Sequence, residues 1–145
     1  MSARQTIPDL GLDLRKTPDL SDPKIRARLS PPAITAFLKI VELWDLRNEQ
    51  AMALLGGVSN GKYHDLKRHR SVVLGQDELT RISYLIGIFK SLNILFSAKL
   101  ANQWVQLANT NPMFKGVAPI HLMVKFGMPA LMETRRLLDS RRGGR

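Results

Sequence analysis

Apolar residues recur at the spacing of an α-helix from residue 31 onward. Bulky apolar side chains fall at i, i+3, i+4, i+7 and i+10, a pattern that places them on one helical face. Pro31 and Pro32 precede this run, and proline is tolerated in the first turn of a helix. We therefore predict a helix over about 32–45. Its apolar face consists of Ile34, Phe37, Leu38, Val41 and Trp44.

Two short helices are predicted around a pair of glycines. Asn48 can cap the first helix, which should end at Gly56 and Gly57 because glycine readily adopts left-handed backbone angles. Ser59 can cap the second helix, which runs to about Arg68. A helix, a tight turn and a second helix in succession form the arrangement of a helix-turn-helix unit.

A longer helix is predicted over 76–96. Its apolar residues occupy most of the helical circumference, and such a helix must be buried on most sides. Two alternatives could bury this helix in so short a chain. One is a second subunit, which would make the protein a homodimer, and the other is the set of C-terminal helices folded over it.

Three more helices are predicted after residue 96. The segment "AKLANQWVQLA" forms the first and stops by Asn111, because the residue before Pro112 is pushed away from helical angles. Pro119 can open the second helix, Gly127 can close it and Pro129 can open the third. No segment alternates as a strand does, so the predicted fold class is all-α.

The pattern divides the chain into three parts. Residues 1–30 mix prolines and alternating charges without a sustained period, which predicts a flexible N-terminal arm. Residues 31–96 form a helix-turn-helix bundle that ends in the long connecting helix. Residues 97–145 form a small C-terminal domain of three helices.

The composition narrows the function without choosing one. The chain has 22 Lys and Arg and 12 Asp and Glu, so its net charge is +10. This charge favours nucleic acid or an acidic protein surface as a partner, although it can also serve only to keep the protein soluble. There is no cysteine, and the three histidines lack metal-ligand spacing, so we expect no metal and no cofactor. The N-terminus lacks the apolar core of a signal peptide, and the run 84–96 is too short for a bilayer. We expect a cytoplasmic protein with no membrane partner.

The segment "LLGGVSNGKYHDL" has the glycine and lysine spacing of a phosphate-binding loop, but two features oppose that interpretation. Tyr63 stands where a Ser or Thr hydroxyl should bind magnesium, and the residues before Gly56 favour helix instead of the required strand. We expect no nucleotide binding and no enzymatic activity.

The helix-turn-helix interpretation assigns this same segment to DNA. In such units the second helix enters the major groove with its N-terminal residues toward the base edges. Asn can pair with adenine, and Lys can contact guanine or phosphate, whereas Asp65 would repel phosphates. The alternative is an all-helical module whose basic helix is only solvated. The candidate DNA-binding residues are Ser59, Asn60, Lys62, His64, Lys67 and Arg68.

Residues 31–145 also resemble the Xre-type antitoxins of RES/Xre toxin–antitoxin modules. The resemblance is carried by "LLGGVSNGKYHDLKR", "LTRISYLIGIFKSL", "WVQLANTNPMFKGVAP" and "FGMPALMETRRLLDSRRGG". It implies a dimeric antitoxin of a type II system, whose helix-turn-helix domain binds operator DNA and represses its own operon. It also implies that the C-terminal domain binds a RES-domain toxin, which consumes NAD or transfers ADP-ribose, and covers the entrance to its NAD pocket.

Toxin contacts are expected from the C-terminal domain. The tail arginines are Arg141, Arg142 and Arg145. They suit a polar pocket because guanidinium groups form bidentate bonds with carboxylates, although a solvated basic tail is the simpler alternative. Aromatic and Met side chains can anchor a partner or fill a small core. The candidate toxin-binding residues are Trp104, Asn111, Pro112, Phe114, Met128, Arg135, Arg141, Arg142 and Arg145. The competing hypothesis is a stand-alone helix-turn-helix transcription regulator with a C-terminal dimerisation or ligand-sensing domain.

Overall fold

The computed structural model describes residues 17–69 and 71–143. Within them the chain forms α-helices and one 3-10 turn, with no strand, so the predicted all-α fold class is confirmed. The helices are α1 (Pro23–Leu43), α2 (Asn48–Leu54), α3 (Asn60–Arg68), α4 (Gln76–Leu95), α5 (Ala98–Gln103), α6 (Pro119–Phe126) and α7 (Met128–Arg142), with the 3-10 turn at Trp104–Gln106. None of the described helices is long and apolar enough to cross a membrane.

Helix α1 begins at Pro23, well before the predicted start near residue 32. The Asp22 side chain accepts a hydrogen bond from the Lys24 backbone N–H at 2.9 Å, and Pro23 occupies the first helical position. Leu20, just before the helix, is buried in the core. The predicted arm is therefore wrong for residues 23–30, and residues 1–16 lie outside the described part of the chain.

Pro31 and Pro32 lie inside α1, not at its start. Each removes a backbone donor, which leaves the carbonyls four residues earlier, at Ala27 and Arg28, without their helical partners. Both of those residues are exposed, so water can take the donors' place. Buried Ser30 also ties the helix to the segment before α4: its hydroxyl donates to the Arg26 carbonyl at 2.6 Å and accepts from the Leu74 N–H at 2.9 Å.

Helices α2 and α3 form the predicted helix-turn-helix pair. Gly56 and Gly57 adopt φ of 98° and 86°, and the Ser59 hydroxyl accepts from the Lys62 N–H at 3.1 Å, as predicted. Asn48 is not the cap of α2. The cap is Arg47, whose N–H donates to the Gln50 side chain at 2.9 Å and so satisfies a donor that the helix itself cannot.

Helix α4 is the centre of the fold. Helix α1 packs along one side of it, α7 along another and α5 at its C-terminal end. Of the two covers considered for this apolar helix, the chain's own C-terminal helices provide one, and a second subunit is not needed to bury it. The buried residues of α4 are Leu79, Ile82, Ser83, Leu85, Ile86, Gly87, Ile88, Ser91 and Leu92.

The C-terminal helices share a core with the helix-turn-helix part. Helix α5 ends earlier than predicted, because the chain tightens into a 3-10 turn whose Trp104 and Val105 enter the core. Gln106 then donates to the Trp44 carbonyl at 3.0 Å and joins this turn to the end of α1. The buried cluster is continuous from Leu20 to Leu138, so residues 97–143 pack on the N-terminal helices.

Candidate DNA-reading and partner-binding surfaces

The outward face of α3 is defined by the two side chains that hold the helix to the core. Tyr63 and Leu66 are buried. At 100° per residue, the opposite face is formed by Gly61, by Asp65 and by their neighbours one turn along. His64, Asp65 and Arg68 are all exposed there, whereas Gly61 presents no side chain, so these three side chains are the groups that the outward face offers to DNA.

The structure brings five of the six candidate DNA-binding residues to the surface around α3. Ser59 uses its hydroxyl as the helix cap, and Asn60 is exposed in the first turn, where major-groove contacts are made. Lys67 and Arg68 form a cationic edge at the other end of the helix, next to the negative end of its dipole. The residues on the surface are Ser59, Asn60, His64, Lys67 and Arg68.

Lys62 departs from the expectation of a free DNA-contacting lysine. Its Nζ donates to Glu78 Oε2 at 2.7 Å, and the Glu78 side chain is only 14% exposed. The second Glu78 oxygen accepts from the Gly75 N–H at 2.9 Å and caps α4. Lys62 therefore fastens α3 to α4, because an opposite charge in a largely covered position holds its ammonium group.

Two further contacts shape the basic edge of α3. Lys67 Nζ lies 5.1 Å from the centre of the Tyr63 ring, and Arg68 Nη1 lies 3.4 Å from His64 Nε2. Burial of the Tyr63 phenol raises its pKa above the usual value, because a buried phenolate loses its hydration. The Lys67 charge therefore lies beside the buried Tyr63 ring, while Arg68 lies beside His64.

The glycine turn does not have the geometry of a phosphate-binding loop. The N–H groups of Leu55, Gly56 and Gly57 donate to carbonyls of α2, so they are not directed at a ligand. The cleft beside the turn, of about 450 Å³, is lined by Asp77 and Glu78 as well as by Lys62, whose ammonium group is already paired with Glu78. No group of three metal-binding side chains occurs within residues 17–69 and 71–143.

Trp104 and Phe114, both candidate partner anchors, belong to the core. Their rings meet edge to face with centres 5.7 Å apart, and both residues are buried. Of the two roles considered for these aromatic groups, the structure supports the packing role. They form part of the core beneath the 113–117 loop.

Arg135 is a candidate toxin-binding residue by sequence, but the structure buries it. It is 4% exposed, and Nη1 donates to the Ser83 carbonyl at 3.5 Å. Its guanidinium group lies against Gly87, where a Cβ would come within 2.5 Å of Arg135 Cζ, and Nε is 3.4 Å from Asp139 Oδ2. Arg135 fastens α7 to α4, and its burial leaves no surface for a partner.

The remaining candidates lie on or near the surface. Asn111 shapes its loop by accepting the Met113 N–H at 2.9 Å, while Pro112 is exposed and Met128 is half-buried. Arg141 is exposed at the end of α7. Arg142 is partly covered, with Nε 3.7 Å from Asp139 Oδ1, and Arg145 lies outside the described residues.

Sequence reasoning missed an apolar groove between the 113–117 loop and the α6–α7 junction. Its volume is about 560 Å³, and Met113, Val117, Phe126 and Pro129 line it. Phe126 is 57% exposed and Val117 is 41% exposed. The sequence does contain one sign of this groove. Phe126 comes just before Gly127, which ends α6, and it does not lie on the face of α6 that carries the buried Ile120 and Met123.

Arg81 connects the glycine turn with the α6–α7 junction. Its Nε donates to Asp77 Oδ2 at 2.8 Å. A Cβ at Gly56 would lie 3.2 Å from Arg81 Nε, and a Cβ at Gly127 would lie 3.6 Å from Arg81 Nη1. The turn that positions α3 and the junction beside the apolar groove therefore lie next to the same side chain.

Comparisons with known proteins agree with this geometry. Residues 23–87 match the family model of the antitoxin Xre-like helix-turn-helix domain. The match starts where α1 starts. A protein of Sinorhizobium fredii (strain NBRC 101917 / NGR234), named uncharacterized protein y4oB, is 27% identical over 125 residues, which cover 86% of this chain and 95% of that protein. No solved structure matches the chain.

The matched region contains the elements that a DNA-reading unit needs. It spans the support helix α1, the α2–α3 pair with its glycine turn, and the first part of the central helix α4. Residues 23–87 therefore form a helix-turn-helix domain that is similar to the antitoxin Xre-like family.

Proposed function

We propose that this protein is the antitoxin of a type II toxin–antitoxin system, acting in the cytoplasm as a homodimer. It binds a RES-domain toxin and covers the entrance to the toxin's NAD pocket, and it represses its own operon by binding operator DNA. The observation that carries the proposal is the match of residues 23–87 to the antitoxin Xre-like helix-turn-helix domain, which packs in one core with C-terminal helices that end in arginines.

The DNA part of the proposal rests on the surface of α3. Asn60 stands in the first turn, where a side chain can reach an adenine edge, and Lys67 and Arg68 can neutralise phosphates. The net charge of +10 attracts nucleic acid at long range. Asp65 on the outward face opposes this attraction, so phosphate contacts, more than base contacts, should supply the affinity.

The toxin part of the proposal rests on the end of α7. Arg141 is exposed and Arg142 is partly exposed, so guanidinium groups stand where the chain leaves the core. A pocket that admits NAD carries polar groups, and guanidinium forms paired hydrogen bonds with carboxylates. Arg135 takes no part in this contact, because it is buried against α4.

Co-expression with the RES-domain toxin encoded by the neighbouring gene tests the proposal. The full-length chain, tagged and purified, should carry the toxin with it, and the mass of the complex should contain two antitoxin copies. A toxin that stays unbound at micromolar concentrations of both proteins would end the toxin part. If promoter DNA is still bound in that case, the stand-alone regulator is the better account.

A further inference from the structure

The apolar groove at the α6–α7 junction is a surface that the proposed function does not use. Its floor is the buried Phe114 ring, which rests edge to face on Trp104. Its walls are the two exposed side chains Val117 and Phe126, together with Pro129 from the start of α7. A rigid aromatic floor under exposed apolar walls is the form of a pocket that takes an apolar anchor from another protein.

The loop that forms one wall is held in a costly conformation. Lys115 adopts a φ of 53°, a left-handed angle that a side chain with a Cβ rarely adopts. Two backbone bonds enforce it: the Asn109 N–H donates to the Val117 carbonyl at 3.2 Å, and the Gly116 N–H donates to the Asn109 carbonyl at 3.0 Å. The loop is therefore fixed in shape, with Lys115 and Val117 directed at the groove rim.

The charges around the groove select the partner. Lys115 and Lys125 line it, and Lys125 Nζ lies 5.4 Å from the centre of the Phe126 ring. The one carboxylate in the lining, Glu133, is paired with Arg136 at 2.8 Å. A second copy of this chain would bring a net charge of +10 to a basic rim, so a partner segment that carries carboxylates fits better.

We infer that this groove docks the toxin through an apolar side chain flanked by one or two carboxylates, and that it forms a second contact separate from the tail arginines. The inference rests on the proposed function. Helix α7 separates the two contacts, since its residues Met128–Arg142 span about 20 Å at 1.5 Å per residue. The groove holds the toxin at one end of α7, while Arg141 and Arg142 face its pocket at the other.

Titration of the purified neighbouring-gene toxin with the full-length chain measures this contact. Phe126→Asp places a charge against the apolar anchor and should raise the dissociation constant by about 30-fold. Phe126→Leu should keep most of the affinity. Lys125→Glu should raise the dissociation constant by about 5-fold at low salt and less at high salt, because it acts through exposed charges. It involves no core residue, so it tests the groove even if Phe126→Asp does not fold.

Matched controls lie on another surface of the fold. Ile94, 43% exposed near the end of α4, and exposed Lys99 on α5 supply the same two substitutions, Ile94→Asp and Lys99→Glu. Both should leave the dissociation constant unchanged. Groove variants that bind as tightly as the parent protein would overturn the inference and leave the proposed function intact.

Two other results would also decide the matter. Failure of the parent protein to bind the toxin would remove the proposed function, and this inference with it. If Phe126→Asp instead dissociates an antitoxin dimer, as light scattering would show, the occupant of the groove is a second copy and the inference is wrong.

Discussion

Lys62 Nζ donates to Glu78 Oε2 across 2.7 Å, so a lysine of α3, the helix that we propose to bind DNA, is held by the first turn of α4. Glu78→Gln keeps a side-chain acceptor for the Gly75 N–H but removes the charge. We predict that this variant binds DNA containing its own promoter more tightly, by about 3- to 10-fold at low salt, because the released lysine can reach phosphate. Gel-shift titrations at several salt concentrations measure it.

The matched control is Asp77→Asn, one residue away in the same turn. It removes the same charge, but its carboxylate pairs with Arg81 and not with Lys62. It should strengthen DNA binding less than Glu78→Gln does. Equal gains in the two variants would show that only the net charge matters and that the Lys62 contact does not.

The basic edge of α3 should supply phosphate contacts. Replacing both Lys67 and Arg68 by Ala should weaken promoter binding and lower the slope of log affinity against log salt by about 0.9 for each phosphate that is no longer neutralised. Lys99→Ala, at an exposed position of α5, is the control and should change neither quantity. A double variant with an unchanged salt slope would place the DNA contact elsewhere on the molecule.

Gly87 makes room for the buried Arg135 side chain, so Gly87→Ala should destabilise the fold. A Cβ there would lie 2.4 Å from Arg135 Nε, and the burial of Arg135 prevents an easy retreat. We predict a loss of about 1–3 kcal/mol in the free energy of unfolding by urea. Gly61→Ala, where the nearest atom is 4.0 Å away, should instead gain about 0.5–1 kcal/mol. A stable Gly87→Ala variant would contradict the assigned packing.

Burial of Tyr63 predicts a loss of stability in alkali. The pKa of Tyr63 is raised in the folded protein from an ordinary value of 10.0, so the folded state holds this proton more tightly than the unfolded chain does. The stability that the protonated Tyr63 phenol gives the folded protein is fully present below about pH 10 and is lost as pH rises through the folded pKa. Tyr63→Phe should remove that part of the pH dependence, measured by urea unfolding between pH 8 and about pH 11. Parallel curves for the two proteins would refute the assignment.

Local chemistry explains the elements that the sequence predicts well. The Ser59 cap and the left-handed Gly56 and Gly57 depend on neighbouring backbone groups alone, and all appear as expected. The predicted start of α1 is wrong because two internal prolines resemble a first turn. The better signal is Asp22 followed by Pro23, a capping residue and a proline at the first helical position.

Long-range packing explains the elements that the sequence could not reveal. Arg135 is buried because Gly87, on another helix, leaves room for its side chain. Trp104 and Phe114 are ten residues apart along the chain, and their rings pack against each other in the core. The sequence predicts Lys62 as a DNA contact, and it does not reveal the ion pair that holds this lysine. The partner, Glu78, lies on the next helix, 16 residues away along the chain. The positions of Phe126 and Val117 on the groove follow from the loop that Asn109 closes.

The most direct test of the proposed function is the rate at which the purified toxin consumes NAD in the presence of this protein. The account predicts that the rate falls in proportion to added full-length antitoxin and reaches background when the two proteins are equimolar. A toxin that is bound in the complex and still consumes NAD at its full rate would contradict it.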